Sequence, residues 1–337
     1  MFYEQLKKGV VQCHLCRFRC RIETGRRGIC GVRENSGGKL YSLVYGLAVA
    51  EQVDPIEKKP LYHVLPGSRS FSVATAGCNF RCQHCQNYSI SQVPATLKKI
   101  PGKSLSPMEI VAKAQASDCR SISYTYTEPT VFFEYAFDTA MLANAVGLKN
   151  IFVTNGYISP EALKAIHPYL DAANIDLKGF SDRFYREVAH AALGEVLDCI
   201  IEYKRLGIWI ELTTLIIPGW NDNDAELQAM ARFIVDKVGP DTPWHVSAFY
   251  PTYQMTDRPP TPPSTLNRAR EIGMAAGLRY VYEGNVPDSA GSHTWCPACK
   301  AELIRRNGYY ILSNRIKDGA CPECGNVIAG IEMAATL

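Results

Sequence analysis

The chain has 337 residues, 47% of them hydrophobic and 20% charged, which supports a sizeable core and excludes a disordered or fibrous protein. The 36 lysines and arginines against 33 acids leave a formal charge of +3, far from the surface of a polyanion binder that works by charge alone. The longest apolar runs, such as Tyr41 to Ala50 and Ile208 to Ile217, fall short of the roughly 20 residues that a bilayer span needs, so no membrane is expected. The N-terminal MFYEQLKKGVVQC lacks the apolar stretch of a secretory signal, which leads us to expect a cytoplasmic, reducing location.

Thirteen cysteines in a reducing compartment point to metal rather than to disulfides. The first group in chain order is Cys13, Cys16, Cys20 and Cys30. It lies in a short Gly-rich segment with few apolar residues to fold around, interleaved with Arg17, Arg19, Arg21, Arg26 and Arg27. Four thiolates suit zinc or an iron-sulfur cluster, with zinc preferred. An apolar, β-rich run at Phe71–Thr75 leads into the second group, Cys78, Cys82 and Cys85. Three thiolates leave one iron of a cubane open to a small ligand, whereas electron-carrier clusters are normally closed by four.

Further strand-like runs follow at Ser121–Tyr126, Asn150–Thr154, Ala173–Leu177, Ile208–Ile217 and Trp244–Phe249, with Arg279 to Tyr282 as a possible extension. Helix-like stretches separate most of them, and two helix starts are marked by Ser106-Pro107-Met108-Glu109 and Ser159-Pro160-Glu161. Repeated βα units predict an α/β fold, a parallel sheet curved into a partial (β/α)6 barrel with functional residues at strand C-termini. Cys119 and Cys199, in segments that look like a helix end and a helix, read as small buried hydrophobes. The last group, Cys296, Cys299, Cys321 and Cys324, forms two Cys-x2-Cys knuckles that predict a zinc-ribbon-like module. Gly325 would supply its tight turn, and Leu303, Tyr309, Tyr310, Ile311 and Ile328 its small core. The expected domains are 1–68, a four-cysteine segment and lead-in; 69–290, the barrel; and 291–337, the ribbon.

The Cys-x3-Cys-x2-Cys loop after a strand resembles the signature of the radical S-adenosylmethionine enzymes. Thr127-Glu128-Pro129, Thr154-Asn155-Gly156, Asp176-Leu177-Lys178 and Ile217-Pro218-Gly219-Trp220-Asn221-Asp222 look like their counterparts in activating enzymes of pyruvate formate-lyase type. Where those activators carry an Asp before the Thr-Asn-Gly triplet this chain has Val153, and Glu211 replaces an arginine on the fifth strand. Over nearly its full length the chain resembles the AmmeMemoRadiSam-system radical enzymes. That likeness includes Asp54-Pro55-Ile56-Glu57-Lys58-Lys59-Pro60-Leu61-Tyr62-His63, Phe249-Tyr250-Pro251, Glu283-Gly284-Asn285-Val286-Pro287 and both terminal cysteine groups.

The resemblance implies a [4Fe-4S] cluster on Cys78, Cys82 and Cys85, with S-adenosylmethionine chelated at the open iron. His84, Thr127, Glu128, Asn155, Asp176 and Lys178 become candidate contacts to that cofactor. Bland readings stand beside these: Asn155-Gly156 as a turn, Asp176 and Lys178 as a structural ion pair, and Asp54 to His63 as a solvated charge run. The implied function is reductive cleavage of S-adenosylmethionine to a 5′-deoxyadenosyl radical that abstracts hydrogen from a protein or peptide. The alternatives are an RNA-modifying radical enzyme, which the near-neutral charge disfavours, and a non-enzymatic electron carrier or adaptor. Expected partners are a reductant such as flavodoxin or ferredoxin and Memo-like and AMMECR-like proteins.

Overall fold

A computed structural model describes residues 1–97, 99–286 and 290–334. Pro287, the end of one of the resemblance segments, lies outside the described residues. The chain divides into two compact units that cut across the three expected segments. The first unit comprises residues 1–54, 70–173 and 194–208, and the second 55–69, 174–193 and 209–337.

In the first unit the sheet strands lie in the order Ala172–Asp176, Lys149–Thr154, Cys119–Tyr124, Arg69–Ala74 and Ala50–Pro55. The division between units falls inside the first of these and again near the ends of the last two. Cys119–Tyr124 and Lys149–Thr154 pair in parallel, Ser121 opposite Lys149. The expected strands are present, and Ala50–Pro55 is one that the composition of its segment did not suggest. Ser106 closes a capping box with Glu109 at the start of helix Pro107–Ala116, and the Ser159 hydroxyl accepts from the Ala162 amide at the start of Pro160–Ile166. Cys119 opens a strand rather than ending a helix, although it is buried as expected; Cys199 is buried within helix Leu193–Arg205.

The N-terminal cysteine segment has more secondary structure than its composition suggests. Tyr3–Gln5, Val11–Cys13 and Arg21–Ile22 form a small antiparallel sheet. Arg33–Ser36 and Lys39–Ser42 form a hairpin whose two loop residues, Gly37 and Gly38, have φ of 59° and 84°. Two successive positive φ values are the geometry of a type I′ turn, for which Gly-Gly is a strong sequence signal. Buried Asn35 ties the hairpin down, donating to the carbonyls of Gly9 and Ile22, 2.8 Å each, and accepting from the Gly38 amide at 2.9 Å.

In the second unit Trp209–Ile216, Trp244–Ala248 and Val281–Gly284 are parallel neighbours in that order. Trp244–Ala248 is buried at every position, as a parallel strand covered on both faces must be. Residues 294–314 add an antiparallel three-stranded sheet, Thr294–Trp295, Glu302–Asn307 and Tyr310–Asn314. Its core is Leu303, Ile304, Ile316, Ile328 and Met333 with Cys296 and Cys321, and Ile311 packs against it. Tyr309 and Tyr310, expected in that core, are exposed at 43% and 71%. Tyr309 shares the hairpin turn with Gly308 and Tyr310 opens the next strand, where polar hydroxyls stay hydrated. Among the described residues no helix is long and apolar enough to cross a membrane.

The segment read as a solvated charge run is buried instead. Asp54, Glu57, Lys59 and His63 are 6%, 1%, 1% and 0% exposed, and of the charged residues Lys58 faces solvent. In the second unit a directional hydrogen-bond chain explains His63. The Arg306 guanidinium donates to Thr294 Oγ1 at 2.8 Å, Thr294 to the Tyr282 hydroxyl at 2.9 Å, Tyr282 to His63 Nε2 at 2.6 Å, and His63 Nδ1 to the Ala329 carbonyl at 2.6 Å. Both ring nitrogens are thereby satisfied in the neutral imidazole. Burial pulls the His63 pKa down from 6.5 to about 4, against the charge of Glu211.

A consequence follows for acid stability. Because the folded-state pKa lies below the unfolded one, the unfolded chain binds the extra proton first, so stability is full above pH 6.5 and falls as pH drops toward 4. The loss expected from His63 over that window is about 3 kcal/mol. Urea unfolding at stepped pH checks it: His63→Gln should flatten the profile between pH 6.5 and 4, and an unchanged slope would refute the assignment.

Candidate active site

The loop that follows strand Arg69–Ala74 carries Cys78, Cys82 and Cys85. The first two are buried and the third is half-buried. Its shape is held by backbone and side-chain bonds within the first unit. The Gly77 amide donates to the Ile90 carbonyl, the Cys85 amide to the Cys82 carbonyl, and Arg81 to the carbonyls of Cys78 and Phe80. The Phe80 amide donates to Cys78 Sγ at 3.4 Å, and Cys85 Sγ lies 3.3 Å from Ser91 Oγ. Burial pushes the Cys78 thiol well up, helped by the negative charge of Glu128 and of Cys82. A sulfur in that setting becomes a thiolate when a cation is present to hold it.

Strand ends in the same unit bring further residues to this loop. Asn155, just past Lys149–Thr154, donates from Nδ2 to Cys78 Sγ at 3.4 Å and to Asn79 Oδ1 at 3.1 Å. Asn79 is fully buried, and its Nδ2 has no hydrogen-bond partner among the described residues. An amide donor orphaned beside a thiolate loop fits a cluster whose sulfides accept hydrogen bonds, and three thiolates fit the open-corner cubane. Asn79 was missed in the sequence, where its place between the first two cysteines was the available signal.

Glu128 is fully buried, and its carboxylate accepts from the Thr130 amide and hydroxyl, 3.0 and 2.5 Å, from Thr154 Oγ1 at 2.8 Å and from the Asn155 amide at 2.8 Å. Burial raises its pKa, and these four bonds act against that rise. By holding the Asn155 backbone amide, Glu128 fixes the Thr154-Asn155 turn that presents the Asn155 side-chain Nδ2 to Cys78. Thr127 donates to the Thr75 carbonyl at 2.8 Å, and Asn87 donates to the Tyr126 carbonyl at 2.8 Å. His84 is 6% exposed.

Asp176 and Lys178 belong to the second unit, where Nζ and Oδ2 form an ion pair of 2.7 Å. Asn221 braces the Lys178 backbone, donating to its carbonyl at 2.7 Å while accepting from the Ile217 amide at 2.6 Å. Glu211, on the strand where formate-lyase activators have an arginine, is fully buried. It accepts from the amides of Tyr62 and His63, 3.0 and 2.7 Å, and pairs with His245 Nε2 at 2.7 Å. Burial would raise this carboxyl, but the hydrogen bond and charge of His245, helped by the hydrogen bond from the Tyr62 amide, hold it below the usual range.

The two terminal cysteine groups differ in geometry. The ligand atoms of Cys296, Cys299, Cys321 and Cys324 all lie within 4.8 Å of one another, with sulfur–sulfur contacts of 3.6 Å from Cys296 to Cys324 and 3.7 Å from Cys299 to Cys321. The residue after each knuckle is left-handed: Lys300 has φ 64° and Gly325 φ 73°, and their amides donate to the Cys296 and Cys321 carbonyls. The expected role of Gly325 is thus met, while Lys300 adopts the same conformation at some steric cost. Cys13, Cys16, Cys20 and Cys30 instead line one pocket, with Ile22 and Arg33 among its walls.

Comparison with known proteins places this geometry. Residues 72–234 match the family model of the radical SAM superfamily. The chain is 47% identical over 330 residues to MJ0808 of Methanocaldococcus jannaschii, covering 97% of this chain and 98% of that one. It is 25% identical over 186 residues to MJ1632 of the same organism, named as a candidate glycyl-radical enzyme activating enzyme, covering 54% of this chain and 68% of that one. The structure of Streptococcus suis SuiB bound to S-adenosylmethionine shares the fold with TM-score 0.51 at 12% identity, over 68% of this chain and 52% of SuiB. With the three-cysteine loop, the central parallel strands and the matched family model together, the chain belongs to the radical SAM superfamily.

Proposed function

We propose that this protein is a radical enzyme of the AmmeMemoRadiSam type that cleaves S-adenosylmethionine and abstracts hydrogen from a protein or peptide, as a glycyl-radical activator does. The observation that carries this reading is the Cys78, Cys82 and Cys85 loop with Asn155 Nδ2 on the Cys78 sulfur. Partial identity to MJ1632 supports the activator comparison. When bound, the [4Fe-4S] cluster supplies the electron that splits S-adenosylmethionine into methionine and a 5′-deoxyadenosyl radical.

The chain's own residues bind, orient and exclude water. Cys78, Cys82 and Cys85 are the ligands; Asn155 Nδ2 donates to the Cys78 sulfur and Asn79 Nδ2 is the buried donor left for a cluster sulfide; Glu128 acts as a positioning residue through the Asn155 backbone amide. His84, Thr127, Asp176 and Lys178 are the further cofactor contacts in this reading. The burial of Cys78 and Cys82 keeps the loop from water and oxygen. The sheet with its helices is read as a partial (β/α)6 barrel spanning 69–290. Cys296, Cys299, Cys321 and Cys324 are read as a zinc ribbon. Two sulfurs bonded to one zinc at about 2.3 Å stand about 3.8 Å apart in a tetrahedron, close to the contacts found there. A flavodoxin or ferredoxin would deliver the electron, and Memo-like and AMMECR-like proteins are the candidate partners.

The test is direct. Anaerobically reconstituted, reduced protein mixed with S-adenosylmethionine should release 5′-deoxyadenosine. Absence of that product from fully cluster-loaded protein would overturn the proposal.

A further inference from the structure

The N-terminal cysteines stand around their pocket instead of converging on a point. Two sulfurs bonded to the same zinc cannot be more than about 4.6 Å apart, twice the Zn–S bond of about 2.3 Å. Among the described residues, the set of three or more ligand atoms lying mutually within 4.8 Å is the C-terminal one. The sulfur–sulfur contacts of 3.6 and 3.7 Å likewise belong to that set. Cys13, Cys16, Cys20 and Cys30 nevertheless share one pocket, and three of them are buried. Such dispersal does not suit a single zinc ion, which would hold all four sulfurs within that distance of one another. It suits a cubane, whose four separate corner irons take one thiolate each.

A second, independent feature points to the same ligand. Arg33 is 3% exposed and lines this pocket. One terminal nitrogen of its guanidinium pairs with Glu134, while its Nε has no hydrogen-bond partner among the described residues. A buried N–H without an acceptor is costly unless a ligand supplies one. Sulfide and thiolate sulfur are acceptors, and a cubane with four thiolates carries the negative charge that a buried guanidinium favours.

We propose that Cys13, Cys16, Cys20 and Cys30 hold a second [4Fe-4S] cluster, closed by four thiolates, with Arg33 Nε donating to its sulfur. This proposal departs from the sequence preference for zinc at these positions. The site lies against the three-cysteine loop. A Cβ built on Gly77, next to Cys78, would come within 3.1 Å of the Cys30 carbonyl oxygen and 2.6 Å of Val32 Cγ1. Arg81 also donates to the Ile29 carbonyl. The inference does not depend on S-adenosylmethionine cleavage.

The experiment is iron, sulfide and zinc analysis of the full chain after anaerobic reconstitution, with Mössbauer spectroscopy. Wild type should hold about eight irons and eight sulfides per zinc, and the Cys78→Ala, Cys82→Ala, Cys85→Ala variant about four of each in a cubane. A triple variant holding no iron, a second zinc, or a two-iron cluster overturns the proposal. If that variant is insoluble, the wild type decides: about eight irons to one zinc supports the second cluster, and about four irons to two zincs refutes it. Loss of 5′-deoxyadenosine formation in wild type, with four irons retained in the variant, would instead remove the radical-enzyme reading and leave this one standing.

Discussion

Cys82→Ala is expected to reduce 5′-deoxyadenosine formation to the level of protein-free buffer. Cys82 is buried and, in the proposed reading, one of three ligands, so its loss leaves two thiolates for a cluster that already lacks a fourth. The Cys85 amide bonds the Cys82 carbonyl, a backbone contact that alanine keeps. The loop should therefore stay folded while its cluster is lost, which distinguishes a missing ligand from a collapsed site. The check is product formation beside circular dichroism and iron content. Activity above background with normal folding would show that Cys82 is not a ligand. Asn155→Ala, by contrast, removes one donor to the Cys78 sulfur and should leave the iron in place.

Arg306→Met is expected to destabilise the second unit by about 3–5 kcal/mol, the cost of leaving one partner of a buried ion pair. Arg306 and Glu57 are both 0% exposed at the side chain, with Nε 3.9 Å from the carboxylate. The same guanidinium donates to the carbonyls of Tyr62 and Ser292 and to Thr294, and lies 4.1 Å from the centroid of the Tyr62 ring. Burial already raises the Glu57 pKa, with Arg306 acting against that rise. Without Arg306 the carboxyl escapes by taking a proton, so the loss should shrink as pH falls. Adding Glu57→Gln should recover part of the stability at neutral pH, because the unpaired charge is gone. Urea midpoints of the single and double variants measure this. Additive losses would show that the pair is not energetically coupled.

The difference between the two four-cysteine groups is a lesson in what spacing conveys. Cys-x2-Cys repeated twice forces each pair onto a short turn, so the C-terminal group could be read as one convergent centre before any fold was known. The spread of Cys13, Cys16, Cys20 and Cys30 over a small sheet and the segment before a hairpin carries no such constraint. Their separation depends on how those strands pair. Asp54 to His63 marks the opposite limit: its charges suggest water. Glu57 and His63 are buried because Arg306, Glu211 and Tyr282 supply partners from more than a hundred residues away in sequence.

Local chemistry was enough to identify most of the parallel strands, the two serine-capped helices, the three-cysteine loop and the acidic and amide residues at strand ends. Each of these depends on neighbouring residues alone, through periodicity, capping or ligand spacing. Tertiary structure alone decided that Asn155 reaches Cys78, that Glu128 is spent on holding that turn, and that the N-terminal thiols stand apart around Arg33. Those are long-range distances, set by how strands and loops pack, and a residue's identity carries no record of how far it will lie from a partner distant along the chain.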